Sequence, residues 1–214
     1  QSGLPRFRIA DLERQAGLMA LARRDAQAFL DRDPGARIVH DPRVVMNTRA
    51  MIAEAGGQAV QARTGHAFVK KAMRESGAIY GGEMSAHHYF RDFAFADSGM
   101  IPWLLVAELV SRKGQPLADL LSQRIAAFPS SGEINFRLDD ADAAIDRVLA
   151  AYAAEARSRD DTDGISLEFA DWRFNLRRSN TEPVVRLNVE AAGDADLVAR
   201  QARRIGALLT GTQG

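Results

Sequence analysis

The sequence has 214 residues, with 28 basic and 28 acidic side chains and no cysteine. A net charge of zero argues against a protein that coats nucleic acid or an anionic membrane, because both surfaces require a surplus of Lys and Arg. We therefore expect neither as a partner. The absence of cysteine excludes disulfides, thiolate metal sites and a cysteine nucleophile, and it suits a reducing compartment.

No segment has the length and composition of a transmembrane helix. The most apolar run, Met100–Val110, is about half of the roughly 20 residues that a span needs, and it contains Glu108. The N-terminus lacks the basic, apolar and small-residue order of a signal peptide. It begins with Gln1 instead of Met, which we interpret as a cut, processed or engineered start. These features predict a cytoplasmic protein.

The first part of the chain alternates helical and strand-like segments. Helical spacing predicts helices over 9–31, 44–55, 66–75, 101–112 and 116–128. Short apolar runs predict strands over 36–40, 58–63 and 78–80. This order is typical of a mainly parallel sheet with crossover helices. We predict a mixed, mainly parallel three-layer α/β domain over residues 1–128.

The turn-forming segment Pro129-Ser130-Ser131-Gly132 is the predicted domain boundary. After it come a predicted strand and helix over 133–138 and 141–156, and a charged turn over 157–164. Alternating apolar and polar residues then predict antiparallel strands over 165–169, 172–177 and 185–190, with one sheet face open to solvent or ligand. With a last helix over 194–209, this predicts a smaller α+β domain over 132–214 with an antiparallel sheet.

The loop between the last two alternating strands, Arg177 to Pro183, reads RRSNTEP. An anion site needs converging donors, and an Arg guanidinium matches the oxygens of phosphate. Hydroxyl groups and turn N–H groups add neutral donors. The alternative interpretation is a polar hairpin turn with two solvated arginines.

A second polar loop follows a predicted buried strand and reads GGEMSAHH over 81–88. Its Glu83, Ser85 and His87 alternate, so in an extended loop they face one way and can bind vicinal sugar hydroxyls. Incidental polar residues remain the alternative. A metal site at His87 and His88 is disfavoured, because adjacent side chains on a strand point apart and no third ligand has suitable spacing. We expect no metal ligand in this chain.

Two strand ends carry further candidates. In Arg63-Thr64-Gly65-His66, a helix N-terminus favours anions, although Thr64 can instead simply cap the helix. In Asp41-Pro42-Arg43, the arginine can reach a cleft or merely pair with Asp41. The acidic run over 160–164 lacks the spacing of a calcium loop and is interpreted as a solvated turn.

Three segments together resemble one known family. GEMSAHHYF over 82–90, RTGHAF over 63–68 and DWRFNLRRSNTEPVVRLNVE over 171–190 are similar to the phosphomannomutase and phosphoglucomutase branch of the α-D-phosphohexomutase superfamily. The resemblance runs from Ala36 to the C-terminus and matches the third and fourth domains of such an enzyme. It implies a sugar-recognition domain, preceded by an atypical helix, and a phosphate-binding domain with a TATA-binding-protein-like fold.

The resemblance also implies roles for individual residues. It assigns sugar hydroxyls to Glu83, Ser85 and His87. It assigns the distal phosphate to Arg177, Ser179, Asn180 and Thr181. It places His66 near the reacting phosphate, with a role in proton transfer, and Arg43 at a basic position in the cleft.

A full-length member interconverts hexose 1-phosphate and hexose 6-phosphate through a phosphoserine and a bisphosphorylated sugar. It holds Mg²⁺ in an Asp-x-Asp-x-Asp loop, and neither that loop nor the phosphoserine loop is found in this sequence. We therefore expect the isolated chain to bind mannose or glucose phosphate without turnover. The implied partners are the missing N-terminal domains or a second copy of the chain. A non-catalytic phosphosugar-binding or interaction module is the alternative.

Overall fold

The computed structural model describes residues 35–179 and 183–211. The helix predicted over 9–31 and the site residues Asn180 and Thr181 lie outside them. The chain divides into two compact units. Among the described residues, the first comprises 35–41 together with Asn47–Ile125, and the second comprises Pro42–Met46 together with 126–179 and 183–211.

The first unit contains a five-stranded mixed sheet in the order β2-β1-β3-β4-β5. Its strands are β1 (Arg37–His40), β2 (Gln58–Gln61), β3 (Tyr80–Gly82), β4 (His88–Phe90) and β5 (Ala96–Asp97). Strand β1 pairs in parallel with β2 and β3, whereas β3, β4 and β5 pair antiparallel. The predicted mixed sheet is confirmed. The segment interpreted as a ligand loop is the tight connection between β3 and β4.

Helices cover both faces of this sheet. They are α1 (Met46–Glu54), α2 (His66–Ser76) and α3 (Met100–Lys113). A further helix, α4 (Leu117–Ala127), contacts α1 through a hydrogen bond from Arg124 Nε to Asn47 Oδ1 at 2.8 Å. Successive residues of β1 point to opposite faces, as strand geometry requires. Ile38 packs in one cluster with residues of α1 and α3, and Val39 packs in another with residues of α2. The described part of this unit is therefore a three-layer α/β/α arrangement.

The second unit contains an antiparallel sheet in the order β6-β10-β9-β8-β7. Its strands are β6 (Ile134–Arg137), β7 (Ser158–Asp160), β8 (Ile165–Glu168), β9 (Trp172–Arg178) and β10 (Val184–Ala191). Helices α5 (Ala141–Tyr152) and α6 (Ala195–Thr210) pack on its apolar face. The side chains of Asp140 and Asp194 cap them by accepting a backbone N–H each. This confirms the predicted α+β class.

Two predictions for this unit are wrong. The charged stretch over 157–164 is not only a turn, because Ser158–Asp160 pairs with β8 as an edge strand. The polar face of the central strands is not open: Arg173, Asn175 and Arg177 of β9 are all less than a tenth exposed. The reason is that each side chain has partners within the protein: Arg173 pairs with Glu190, the Asn175 amide donates to the Ser166 hydroxyl, and Arg177 faces Glu133 and Asp163. Alternation of polarity therefore did not mean exposure.

Gly164, directly before β8, lies against the backbone of β9. A Cβ at this position would come within 2.5 Å of the Leu176 oxygen and 2.4 Å of the Arg177 Cβ, and φ is +74°. We predict that Gly164→Ala destabilises the second unit by roughly 3 kcal/mol, combining left-handed strain with steric overlap. Urea unfolding would measure the loss.

Gly193 is the matched control, because its φ is +70° and no atom lies within 4 Å of a Cβ built there. Gly193→Ala should cost only about 1 kcal/mol, the strain alone. Equal losses for the two variants would contradict the proposed overlap at Gly164.

Candidate functional site

The turn between β3 and β4 carries most of the candidate residues of the first unit. The Glu83 N–H donates to the His87 oxygen at 3.0 Å, and the Ala86 N–H donates to the Glu83 oxygen at 2.9 Å. Ala86 has a φ of +66°. The segment is therefore a tight turn, and the expectation of an extended loop with three side chains facing one way is wrong.

Glu83 is the buried anchor of this turn, with 2% of its surface exposed. One carboxylate oxygen accepts the Gly65 N–H at 2.8 Å, and the other accepts the Tyr89 hydroxyl at 2.5 Å. Gly65 occupies the N-cap position of α2, where no side chain caps the helix. The alternative interpretation of Thr64 as the cap is therefore wrong. Glu83 binds the backbone just before His66, the first residue of α2.

Asp41 fixes the turn from another direction. Its Oδ2 accepts the Met84 N–H at 2.7 Å, and the carboxylate is 2% exposed. This contact links the end of β1 to the turn that carries Ser85. Ser85 itself is exposed, where its hydroxyl can meet a ligand.

Asp97 of β5 holds the other end of the hairpin. One carboxylate oxygen accepts the His88 N–H at 2.9 Å, and the other lies 2.7 Å from His87 Nδ1. Burial acts to raise the pKa of Asp97, but the hydrogen bonds from His88 and His87 outweigh it, so the pKa lies below its usual value. The carboxylate is therefore ionised at neutral pH.

The two candidate imidazoles lie next to each other. The ring centroids of His66 and His87 are 4.4 Å apart, and His66 also contacts the edge of Tyr89 at 5.4 Å. A His ring whose Nδ1 is held by a carboxylate presents Nε2 to a ligand or to a proton in transfer. The structure thus brings His66, Glu83 and His87 together and adds Asp97 and Tyr89, which sequence reasoning missed.

His88 points to a different environment from His87, as expected for neighbours on a strand. It is 4% exposed, and its Nδ1 lies 2.6 Å from the Tyr80 hydroxyl. Burial lowers the pKa of His88 from 6.5 to about 4, a shift that Asp97 opposes and His87 reinforces. The ring is therefore uncharged at neutral pH.

Arg43 lies in the short segment Pro42–Met46, which belongs to the second unit. Glu190 of β10 accepts the N–H groups of Val45 and Met46 at 2.7 and 2.9 Å. The guanidinium of Arg173 binds Glu190 at 2.6 Å and donates to the Pro42 oxygen at 2.9 Å. This buried ion pair therefore fixes the backbone on both sides of Arg43.

Arg177 is buried near the end of β9, where it faces carboxylates. Its guanidinium lies 3.5 Å from Glu133 and 3.8 Å from Asp163, and 8% of the side chain is exposed. Arg178 is half-exposed and pairs with Asp142. The Ser179 N–H donates to the Val184 oxygen at 2.9 Å and closes the hairpin stem. Two of the four predicted phosphate ligands, Arg177 and Ser179, are among the described residues and lie two positions apart on this stem.

A cavity of about 360 Å³ opens beside the hairpin stem. Arg178, Ser179 and Pro183 line one side, and the start of α5 lines the other. Asp139, Asp140 and Asp142 also line it, so its charge is unfavourable to a phosphate despite the nearby arginine.

The acidic run over 160–163 forms local contacts. Asp161 pairs with Arg159 at 2.9 Å, and Asp160 accepts the N–H of Thr162 at 3.0 Å. Asp163 faces Arg177. These carboxylates are engaged by protein donors and do not converge as ligands, so the residues of this run do not fit a divalent cation.

Comparison with known proteins identifies the family. Residues 16–128 match the phosphoglucomutase/phosphomannomutase α/β/α domain III, and residues 133–208 match the phosphoglucomutase/phosphomannomutase C-terminal domain. The chain belongs to this family. The resemblance inferred from the three sequence segments is confirmed.

Relatives and a solved structure agree with the family model. A phosphomannomutase of Salmonella typhimurium is 63% identical over 86% of this chain. A Xanthomonas campestris protein with the name phosphohexose mutases is 59% identical over 87% of this chain. A crystal structure of a Burkholderia thailandensis family protein is 31% identical and covers 90% of the chain with a TM-score of 0.73. The chain spans 40 to 42% of these proteins' own lengths.

The described residues contain no helix that is long and apolar enough to cross a membrane.

The low pKa of His88 predicts a pH-dependent stability. Between pH 6.5 and about 4 the unfolded chain binds a proton at His88 that the folded chain does not, so stability decreases as the pH falls through this window. We expect a loss of roughly 3 kcal/mol across it. Urea unfolding of the wild type and of His88→Gln at pH 7, 6 and 5 would measure the difference, and parallel pH profiles would contradict this assignment.

The Arg173–Glu190 pair predicts a large stability loss when one partner is neutralised. Glu190→Gln leaves a buried guanidinium without its counter-charge, and we expect the second unit to lose roughly 3–5 kcal/mol. The matched control Glu155→Gln removes an exposed carboxylate and should change stability by less than about 0.5 kcal/mol. Chemical denaturation measures both, and a loss of similar size in the two variants would refute the role of the pair.

Proposed function

We propose that this chain provides the sugar-binding and distal-phosphate-binding parts of a phosphohexomutase that interconverts hexose 1-phosphate and hexose 6-phosphate. The proposal is supported most directly by the cluster of His66, Glu83 and His87 around a carboxylate-anchored turn, in a chain of this family. Hexose phosphates of mannose or glucose are the proposed ligands. A cytoplasmic location also remains a prediction.

The proposed division of roles follows the chemistry of the side chains. Ser85 and His87 present a hydroxyl and an imidazole to sugar hydroxyls. Both oxygens of Glu83 already accept protein donors, so it contributes through one of its remaining lone pairs or by fixing the turn. His87, whose ring is oriented by Asp97, is better placed than His66 for proton transfer.

In the second unit, Arg177 and Ser179 are proposed to hold the distal phosphate together with Asn180 and Thr181. The carboxylates of Glu133 and Asp163 orient the Arg177 guanidinium and also partly neutralise it. We propose that Arg43 adds a positive charge from a segment whose backbone Glu190 fixes.

Phosphoryl transfer requires a positioned nucleophile, a metal and charge stabilisation together. We propose that the nucleophile and the Mg²⁺ ligands of the complete enzyme lie in domains that precede the two domains of this chain. Mg²⁺ would stabilise the charge of the transferred phosphoryl group there. The residues of this chain would bind the sugar, orient it and move protons.

A chimeric enzyme tests this function. Residues 36–214 would replace the matching C-terminal part of the Salmonella typhimurium phosphomannomutase. We expect the chimera to interconvert mannose 1-phosphate and mannose 6-phosphate in a Mg²⁺-dependent manner, because the missing nucleophile and metal loops are then supplied. The isolated chain should show no turnover in the same coupled assay.

Matched variants of the chimera test the phosphate site. Arg177→Ala should reduce kcat/KM by roughly 10- to 100-fold, since a charged hydrogen bond to the substrate is lost. Arg178→Ala changes the neighbouring half-exposed arginine and should leave kcat/KM within about threefold. A folded chimera without activity would contradict the proposal and would favour a non-catalytic phosphosugar-binding module.

A further inference from the structure

Three side chains with metal-ligating atoms converge at the edge of the first sheet. His66, His87 and Asp97 each offer one ligand atom, and these atoms all lie within 4.8 Å of one another. The residues come from the start of α2, the β3–β4 turn and β5. Within residues 35–179 and 183–211, this is the one group of three or more such side chains.

We propose that His66, His87 and Asp97 form a zinc-binding site with a fourth position open to water. Two imidazoles and one carboxylate are a ligand set that Zn²⁺ prefers, and three protein ligands with one open position are typical of accessible zinc sites. Mg²⁺ and Ca²⁺ favour oxygen ligands, so the two nitrogens select against them.

The geometry requires only small side-chain movements. Ligands at about 2.0–2.1 Å from a tetrahedral zinc ion are spaced roughly 3.3 Å apart. His87 Nδ1 and Asp97 Oδ2 are 2.7 Å apart and must separate slightly. His66 is exposed, so its ring is able to rotate toward the other two ligands.

Neighbouring groups hold the Asp97 carboxylate in place and give the site a negative charge that favours a cation. The other oxygen of Asp97 is anchored by the His88 N–H at 2.9 Å, which leaves Oδ2 for the metal. Glu83 places a second carboxylate next to His66, through its bond to Gly65 N–H. A zinc ion bound to His87 Nδ1 and Asp97 Oδ2 would take the place of the hydrogen bond between them, with the imidazole proton moving from Nδ1 to Nε2, so the pairing lost on binding is compensated.

The sequence-based expectation of no metal site at this turn rested on the neighbouring pair His87 and His88 and on the absence of a third ligand at suitable spacing. His88 is directed at Tyr80 and does not take part. Asp97 lies 10 residues after His87 in the sequence, and His66 lies 21 residues before it. Only the fold brings these positions together.

Isothermal titration calorimetry with Zn²⁺ tests the site on the full 214-residue chain, prepared without a polyhistidine tag and in a buffer free of phosphate. We expect saturable binding of one zinc ion per chain. Co²⁺, which reports its ligands through visible absorption, should give a four- or five-coordinate spectrum that Zn²⁺ abolishes. His66→Ala and Asp97→Asn should each lower the zinc affinity by at least about tenfold.

Asp92→Asn is the matched control, because Asp92 is an exposed carboxylate that pairs with Arg91. Its zinc affinity should stay within twofold of the wild type. Melting temperatures measured with EDTA identify any variant that is unfolded, and His66→Ala decides alone if Asp97→Asn fails to fold. The proposal is overturned if no saturable binding occurs, if His66→Ala binds zinc normally, or if Asp92→Asn weakens binding as much. Binding is measured without a sugar phosphate, so the result is independent of mutase activity.

Discussion

The candidate site of the first unit depends on carboxylates that accept backbone N–H groups. Asp41 accepts from Met84, Glu83 from Gly65, and Asp97 from His88. Hydrogen bonds to a charged acceptor contribute roughly 1.5–3 kcal/mol each, more than neutral ones. They compensate for the left-handed backbone at Ala86 and give a three-residue hairpin strand the rigidity that a ligand site needs.

In the second unit, a carboxylate likewise accepts backbone N–H groups, here from the segment Pro42–Met46. Glu190 accepts the N–H groups of Val45 and Met46, and Arg173 supplies the counter-charge. Removal of the pair as a whole would cost less than removal of one partner, because burying both ions carries a desolvation penalty. The main effect of the pair is therefore to fix the backbone of the segment that carries Arg43, and its contribution to net stability is secondary.

The sequence predicted most helices and strands of the described residues from their regular apolar spacing, but it did not predict the short strands β4, β5 and β7. It predicted Glu83, His66 and His87 as site residues, and the structure groups them. It could not predict Asp97, which lies in a strand of two residues that has no recognisable period. The prediction that one face of the second sheet is open was wrong because Arg173 and Glu190 are cross-strand partners. Alternation alone does not distinguish polar groups that face water from polar groups that face each other.

The register of β9 and β10 contains a signal that sequence reasoning could have used. Opposite charges at paired positions of neighbouring strands stabilise each other, and a pairing of Leu187 with Leu176 places Glu190 opposite Arg173. Aligning the apolar residues of the two strands would therefore have indicated an ion pair on the polar face. No comparable rule links Asp97 to His66, since their proximity depends on a crossover helix and a hairpin together.

The carboxylates that give the hairpin its shape also set its charge. A phosphosugar is an anion, and buried carboxylates beside it would repel it unless protein donors already bind their oxygens. Glu83 and Asp97 each accept two such donors, and the imidazoles and the Ser85 hydroxyl are the groups that we propose to face the phosphosugar. Without an anion present, the same residual negative charge favours a cation between the imidazoles. The proposed zinc site would use Nδ1 of His87, which faces Asp97, whereas the proposed sugar contact would use Nε2, so the two ligands would bind different nitrogens of one ring.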